Sequence, residues 1–364
     1  MKIKLVVSDF HLGKGRTLSD GTQNILEDFI YDREFSEFLA YYSTGPYANA
    51  EVELILNGDI LNLLQMDSWG VHTHLITERA VTRAVRKIAE GHPEFFSALR
   101  SFAAASQHSI CYIVGNHDVG MLWPDPRQAF NEAVGTTVVF HDVAYEFDGV
   151  YVEHGQQYEN FAAIDMKRPF ITSGLPEPVL NLPWGSLFTA LLLTHIKQQR
   201  PHVDKVRPFQ VFLRWTLIHD FWWSIKAFIL ILKFTFDTLV FRSKYRVMEG
   251  VGVSIKMLKE ISIYPNYDKI AFKVLEAKED RHTVIFGHTH ILRYRRWRKG
   301  KQYFNEGTWN EVTGLDLGEY GTKTRLTFAS IEYPADSPGE TPPRPFVHMK
   351  EWRGFWHPET AVLL

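Results

Sequence analysis

Short runs of apolar and β-branched residues recur along the chain, and each is followed closely by Gly, Asp, Asn or His. Such runs predict buried strands, here at residues 4–7, 52–56, 110–114, 150–153 and 283–286. Helical periodicity lies between them, at 24–42 and 77–90. Further strands are predicted at 136–147, 301–304 and 323–331, and we expect these to pair antiparallel. The alternation of strands and helices predicts an α/β fold, a mixed-sheet sandwich with helices outside.

Residues 165–261 break this rhythm, because they are apolar, aromatic and helical in pattern and contain no strand followed by a polar motif. We therefore divide the chain into a core at 1–164 and 262–333, a helical insertion at 165–261 and a C-terminal tail at 334–364. The tail begins in a proline-rich stretch, which predicts a surface path.

The insertion contains one long helical pattern at 209–241, which is apolar around most of its circumference. Residues 184–193 predict a partner helix. Three roles fit this pattern: packing in a helical subdomain, a homodimer interface, or contact with a membrane surface to admit lipid. The basic residues near these stretches form either a positive collar for anionic headgroups or a solvated loop: Lys197, Arg200, Lys205, Arg207 and Arg214.

Composition and charge limit the possible partners, disulfides and location of the protein. The chain has 364 residues, a formal net charge of −2 and a pI near 6.8, so we expect no specific nucleic-acid partner. Its single cysteine, Cys111, lies in a predicted strand and excludes an intrachain disulfide. The first apolar run is too short for a secretory signal, which predicts a cytoplasmic location, peripheral at the inner membrane surface if the insertion contacts lipid.

Five predicted strands end in residues that commonly bind metals. Because the carboxyl ends of such strands open on one crevice, we expect these side chains to converge. In chain order they are Asp9 and His11, Asp59, Asn116 and His117, His154, and His288 and His290. Each alone is more typical of a helix cap, a turn or a surface histidine, but the ordered set predicts a metal site. Asp, Asn and His ligands without thiolate suit manganese first, then iron, zinc or magnesium.

These motifs resemble those of the calcineurin-like metallophosphoesterases. The matching segments are Asp9-Phe10-His11, Gly58-Asp59, Gly115-Asn116-His117-Asp118, His154-Gly155 and Gly287-His288-Thr289-His290. The resemblance implies a four-layer α/β/β/α sandwich and a phosphoesterase with two divalent metal ions. It implies that Asp9, His11 and His290 hold one ion and that Asn116, His154 and His288 hold the other. Asp59 would bridge the two, and His117 would be the catalytic imidazole.

The implied chemistry has a physical basis. Two cations about 3.5–4 Å apart clamp phosphoryl oxygens and lower the pKa of a bridging water, so that hydroxide attacks phosphorus in line. His117, titrating near neutrality, would aid the leaving group, and Asp59 and Asn116 complete the catalytic set. Many relatives carry an acid where this chain has Asn62. Asn62 can accept a hydrogen bond but brings no charge, so we expect a lower pKa for His117 or help from Asp118.

The substrate is less constrained. Residues 8–13 are similar to the opening of UDP-2,3-diacylglucosamine hydrolases, which hold acyl chains under a helical lid, although those enzymes usually carry Arg in place of His117 and a far shorter lid. A lipid-linked or nucleotide-lipid phosphoester or pyrophosphate is therefore one hypothesis. The alternatives are a phosphatase or phosphodiesterase for soluble nucleotides or phosphoproteins, and a non-catalytic interaction module. Arg79, Arg83 and Arg86 share one helix face, which either grips a diphosphate or nucleotide or is merely solvated.

Overall fold

The computed structural model describes residues 1–18, 20–67, 72–207, 209–240, 265–314, 321–334, 344–356 and 359–361. The strands are β1 (Lys2–Val7), β2 (Glu51–Asn57), β3 (His108–Ile113), β4 (Val139–His141), β5 (Ala144–Phe147), β6 (Val150–Glu153), β7 (Phe170–Ile171), β8 (Val179–Leu180), β9 (Val206–Arg207), β10 (Thr283–Phe286), β11 (Arg293–Arg296), β12 (Gln302–Asn305), β13 (Val312–Gly314), β14 (Gly321–Lys323), β15 (Leu326–Glu332), β16 (Phe346–Trp352) and β17 (Glu359–Ala361). The helices are α1 (Asp32–Tyr41), α2 (Glu78–Gly91), α3 (Pro93–Ala103), α4 (Pro124–Val134), α5 (Trp184–Leu187), α6 (Thr194–Gln199), α7 (Phe209–His219), α8 (Phe221–Val240) and α9 (Tyr267–Glu276), with a π-helical stretch, Phe188–Leu193, between α5 and α6.

Two large mixed sheets form the core. The seven-stranded sheet has the order β17-β16-β15-β1-β2-β3-β4, in which β1 to β4 pair parallel and β15 to β17 are added antiparallel. The five-stranded sheet has the order β11-β12-β10-β6-β5, with β6, β10 and β12 parallel. Thus β4 and β12 pair parallel with a neighbour, contrary to the antiparallel pairing expected for their segments.

Burial divides the core into layers. Val6, Ile55 and Cys111 of the first sheet pack against Val152 and Ile285 of the second, so the two sheets lie face to face. The other face of the first sheet is covered by α1 to α4, and the other face of the second by α9. The predicted four-layer α/β/β/α arrangement is confirmed. Cys111 is a buried strand residue, as its apolar neighbours indicated.

Two predicted elements have different bounds. The helix expected at 24–42 begins only at Asp32, because the preceding residues serve loops: Glu27 accepts hydrogen bonds from the backbone N–H groups of Gly13 at 2.9 Å and Gly15 at 2.7 Å. The strand expected at 136–147 is two strands in different sheets, β4 and β5. The chain crosses from one sheet to the other between them, which no local pattern signals.

The C-terminal segment is not only a surface tail. Residues 335–343 lie outside the described part of the chain, but β16 pairs along its whole length with β15 and β17 pairs with β16. Val347 and Met349 face the space between the sheets, and Trp352 packs on the opposite, helix-covered face. This period-two alternation extends the core sheet by two strands.

The insertion is helical but is tied to the core. The single helix expected at 209–241 is two helices, α7 and α8, that break at Asp220. The end of that expected helix and the rest of the insertion, 241–261, lie outside the described residues. The predicted partner helix at 184–193 is present within α5 and the π-helical stretch, and the Trp184 indole donates to Thr238 of α8 at 2.9 Å. Strand β9 pairs with β13 of the core.

Three of the five basic residues predicted to form a collar or a solvated loop are paired with acidic side chains. Lys197 is fully buried between Asp28 and Asp204, and Lys205 lies 3.3 Å from Asp28. Arg200 pairs with Asp220 of the helix break at 3.0 Å. These three residues therefore hold the insertion together and fix it to the loop after β1, rather than forming a collar for headgroups.

Candidate metal centre

The loops that end the core strands carry an unusual backbone conformation. Among the described residues, positive φ angles occur at seven non-glycine positions, and five of them are ligand candidates: Asp9 (55°), His11 (53°), Asp59 (52°), His288 (66°) and His290 (57°). This region is costly for residues with a side chain, and such strain persists where the surroundings enforce it, commonly at functional sites. Here it turns successive side chains of each loop toward one crevice.

Burial of Phe10 anchors the first loop. Its ring lies 5.0 Å from Trp309 and 5.6 Å from Phe95, centroid to centroid, in the helix-covered core. The flanking Asp9 and His11 are buried as well and contact the other ligand candidates. An aromatic residue between two polar ones thus holds both of them in place.

The first group of candidates is Asp9, His11 and His290, whose ligand atoms lie within 4.8 Å of one another. The Nε2 atoms of His11 and His290 are 3.0 Å apart, and His290 Nε2 is 3.2 Å from an Asp9 carboxylate oxygen. Two ring nitrogens and a carboxylate oxygen at this spacing are the donor set of a divalent cation.

The second group is Asp59, His154 and His288, again within 4.8 Å. His154 Nε2 lies 3.1 Å from the Asp59 carboxylate, and His154 Nδ1 donates to the Asn57 carbonyl at 2.9 Å. That second hydrogen bond fixes the tautomer and leaves Nε2 as the ligating nitrogen. Asp59 also lies 3.8 Å from His11 of the first group, so it stands between the two groups.

Asn116 provides a test of fit for a bound ion. Its Oδ1 is buried and has no hydrogen-bond partner among the described residues, which is costly unless another group satisfies it. The tight loop also requires glycine beside it: a Cβ at Gly115 would lie 2.3 Å from the Asp59 carboxylate. The residues present therefore fit divalent ions: six of the seven predicted ligands form the two groups, and the unsatisfied Asn116 oxygen belongs to the loop beside Asp59.

The electrostatics of the crevice also favour cations. Burial alone would raise the pKa of Asp9 and Asp59, but the neighbouring imidazoles, His154 above all, hold both pKa values well below their usual range. Burial opposes a charge on His154, yet Asp59 and Asp9 raise its pKa to about 10. The carboxylates thus stay ionised and keep a proton on the nearest ring, which a metal ion would displace.

His117 lies in this crevice but outside these two groups, and it forms a third group with His11 and Asp59 whose ligand atoms also lie within 4.8 Å of one another. Its Nδ1 is 2.9 Å from Asn62 Oδ1, and its ring centroid is 4.5 Å from that of His11. Among the protein groups alone, burial lowers the pKa of His117 to about 3, against the opposing pull of Asp59. The protein groups therefore do not produce the expected titration near neutrality. A lowered pKa of His117 agrees with the prediction for an uncharged Asn62, which cannot stabilise the protonated ring by charge.

Asp118 does not assist His117. Its carboxylate accepts hydrogen bonds from the backbone N–H groups of Gly115 at 2.6 Å and Ile60 at 2.9 Å, and from the Tyr112 hydroxyl at 2.6 Å. Burial raises the pKa of Asp118 to about 6, and Asp59 adds to the effect. Asp118 therefore links the loop after β2, which contains Ile60, to the loop after β3, which contains Gly115.

Sequence reasoning missed two buried carboxyl groups. Glu159 lies 3.0 Å from His288 Nε2 and accepts from the Tyr267 hydroxyl at 3.0 Å. Glu306 accepts from the Asn57 amide at 3.0 Å, and burial raises its pKa to about 8. Glu306 falls in a segment that follows β12, but a lone glutamate after a strand is too common a pattern to single out.

The three arginines predicted as possible substrate-binding residues do not line the metal-ligand crevice. Arg79, Arg83 and Arg86 line a cleft of about 720 Å³ on the outer face of α2 and α4, and its lining includes none of the metal-ligand candidates. Arg79 lies 3.8 Å from Glu177 and Arg86 lies 3.6 Å from Glu132. A role in substrate binding for this cleft stays a prediction.

Comparison with known proteins finds only distant structural similarity. No family model and no curated protein matches the chain. The structure is similar to a dimetal phosphatase from Danio rerio, at 9% identity and a TM-score of 0.38 over 99% of this chain and 98% of that one. It is also similar to the calcineurin-like phosphoesterase YfkN from Bacillus subtilis, at 12% identity and a TM-score of 0.34 over 96% of this chain and 90% of that one. Because TM-scores below 0.5 carry no argument, the functional conclusion rests on the side chains of the crevice.

Proposed function

We propose that this protein is a metal-dependent phosphoesterase. The observation that supports it most directly is the pair of groups, Asp9-His11-His290 and Asp59-His154-His288, that meet around Asp59 in one crevice. Two divalent ions bound there would supply the positive charge that polarises phosphoryl oxygens and acidifies water at neutral pH. Asn116 would add its amide oxygen to the second group. His117, whose Nδ1 is taken by Asn62, presents Nε2 toward a leaving group.

Removal and return of metal tests this proposal. Dialysis against a chelator should lower hydrolysis of bis(4-nitrophenyl) phosphate or 4-nitrophenyl phosphate by about 10³-fold or more, because several kcal/mol of charge stabilisation are lost. Adding back Mn²⁺, Fe²⁺, Zn²⁺ or Mg²⁺ should restore it, with Mn²⁺ expected to be most effective. Hydrolysis that is indifferent to the chelator would contradict the metal dependence, whereas absence of hydrolysis with every ion would support the non-catalytic interaction module.

For the substrate, we propose a phosphoester or pyrophosphate that is lipid-linked, reached at an anionic membrane surface through α7 and α8. One face of α8 packs inward, where Phe234 contacts Trp184. At 100° per residue, its exposed apolar side chains occupy about 120° of the opposite face. They are Phe221, Trp222, Phe228, Ile229, Leu232, Phe236 and Val240, between 49% and 76% exposed.

Charge favours a bilayer over a second copy of this chain as the occupant. Lys226 and Lys233 are exposed along one edge of the apolar face of α8, and Arg214 is exposed on α7. Acidic side chains are scarcer and less exposed there, since Asp220 pairs with Arg200 and Asp237 is half-buried. An apolar face edged by cations matches anionic headgroups above acyl chains. None of the described helices combines the length and apolarity needed to cross a bilayer.

Vesicle binding tests the membrane part. The protein should sediment with phosphatidylglycerol-containing vesicles, and a double change, Trp222→Glu with Phe236→Glu, should weaken binding at least about tenfold, since burying one such side chain contributes about 1.5 kcal/mol or more. Trp356→Glu is the matched control, because that side chain is 94% exposed but lies outside the insertion.

Substrate selection is measured in the same preparation. A hexadecyl 4-nitrophenyl phosphodiester in vesicles should be hydrolysed faster than its methyl analogue in solution, although the leaving group is the same. Equal rates for both would favour soluble nucleotides or phosphoproteins as substrates. If the double variant instead converted a dimer to a monomer and left vesicle binding unchanged, the face would be a homodimer interface.

A further inference from the structure

A line of buried hydrogen bonds joins the insertion to His117. It begins at the Thr189 carbonyl, which accepts from the Thr194 hydroxyl at 2.9 Å. Gln65 Nε2 donates to Thr194 Oγ1 at 3.3 Å, and Asn62 Nδ2 donates to Gln65 Oε1 at 2.6 Å. Asn62 Oδ1 then lies 2.9 Å from His117 Nδ1. The side chains of this line are almost fully buried: Asn62, Gln65 and Thr194 belong to residues exposed by 2%, 6% and 1%.

The direction of this line is fixed at the insertion end. A backbone carbonyl can only accept, so the single hydroxyl proton of Thr194 points to Thr189. Thr194 Oγ1 can then only accept from Gln65, whose NH₂ must face it. The Gln65 carbonyl oxygen consequently faces Asn62 and receives its NH₂.

The same reasoning reaches the imidazole. With its NH₂ committed to Gln65, Asn62 turns its carbonyl oxygen to His117, and only a protonated Nδ1 can donate to it. The ring is thereby held in one orientation and one tautomer, with Nε2 directed away from Asn62. A carboxylate at position 62 would need no such support, because both of its oxygens accept.

From this geometry we infer that Gln65 and Thr194 are positioning residues for His117, so that the insertion fixes the tautomer of the proposed catalytic imidazole. The inference rests on the proposed function for the role of His117, but the tautomer itself can be observed without activity. The local backbone supports it: Thr194 follows the π-helical stretch Phe188–Leu193, and its backbone N–H also bonds to the Thr189 carbonyl. Such π-helical turns are frequent at functional sites.

The competing explanation is that these bonds only hold α6 against the core. Full-length protein loaded with Zn²⁺ and labelled with ¹⁵N-histidine separates the two. In the wild-type protein the His117 signals, assigned by their loss in His117→Gln, should show Nδ1–H and bare Nε2. Gln65→Leu or Thr194→Val should shift them toward a mixture of tautomers, whereas Thr235→Val should not. Thr235 is a buried threonine of α8 whose hydroxyl bonds only to the Ile231 carbonyl among the contacts described.

Kinetics give the second measurement. Thr194→Val and Gln65→Leu should lower kcat by about 10-fold to 100-fold, as loss of a partner that orients a catalytic group does, with KM and metal content unchanged. The loss should grow as the leaving group becomes more basic, and Thr194→Ser should recover most of kcat. Wild-type protein with Nε2–H on His117, or variants that slow all leaving groups equally and are not rescued by serine, would overturn the inference. Absence of any phosphoesterase activity would refute the proposed function instead, and the NMR result would still decide the tautomer.

Discussion

Asp59→Asn should abolish loading of both metal ions and lower kcat/KM for a phosphodiester by about 10³-fold or more. Asp59 stands between the two groups of ligands, 3.1 Å from His154 and 3.8 Å from His11. Its carboxylate is held ionised in spite of full burial, which a neutral amide of nearly the same size cannot reproduce. Metal content by mass spectrometry and the rate of nitrophenol release measure the two effects.

Asp142→Asn is a matched control, since Asp142 forms a surface ion pair with Arg127 away from the crevice. It should keep both ions and full activity. Thermal unfolding of both variants tells loss of metal from loss of fold. An Asp59→Asn protein that still bound two ions and turned over normally would contradict the placement of Asp59 at the centre of the site.

His117→Gln should give the opposite combination, in which metal content is retained and kcat falls by about 10²-fold to 10⁴-fold, the range for loss of a general acid or base. The ring contacts Asn62 and His11 but belongs beside the ions in our assignment. Substrates with the most basic leaving groups should lose most, because they depend most on proton transfer. A series of aryl phosphodiesters measures this dependence.

His141→Gln controls for the loss of an imidazole as such, because His141 stacks on Tyr145 at the end of β4 and takes no part in the crevice. If His117→Gln lost a metal ion, His117 would have to be reassigned as a ligand, which its place in a third group with His11 and Asp59 allows geometrically. The pair of results, metal lost with Asp59→Asn and kept with His117→Gln, separates the two roles.

The contacts of the insertion alter the interpretation of its basic and apolar residues. Its basic residues predicted either a collar for headgroups or a solvated loop, yet Lys197 is enclosed by Asp28 and Asp204. The insertion is also bonded through Thr194 to Gln65, which in turn bonds to Asn62. One side of α8 is thus built into the protein while the other remains apolar and exposed. Periodicity alone could not separate these sides, because both are apolar.

Several parts of the fold followed from local patterns. The strands at 150–153 and 283–286 have the predicted bounds, and those of β1, β2 and β3 differ by a few residues. The helix expected at 24–42 was too long because its first residues form tertiary contacts instead. The Glu27 carboxylate, for example, accepts hydrogen bonds from the backbone N–H groups of Gly13 and Gly15. Strand β16 was not predicted because a proline-rich segment precedes it and its alternation of apolar and polar residues is short. It forms a regular strand by pairing with β15.

The sequence by itself determined the layered α/β fold and the kinds of ligand, because strand periodicity and the residues that end each strand are local properties. The resemblance of its motifs to a known family, rather than any local pattern, pointed to Asn62 as the residue beside His117. The resemblance implied how the ligands are grouped, but only the tertiary structure shows the distances between them, and only it shows that Asp118 braces loops while Thr194 bonds to Asn62 through Gln65. Gln65 and Thr194 are 129 positions apart, and a hydrogen bond across that separation depends on how the insertion packs on the core, which no local pattern encodes.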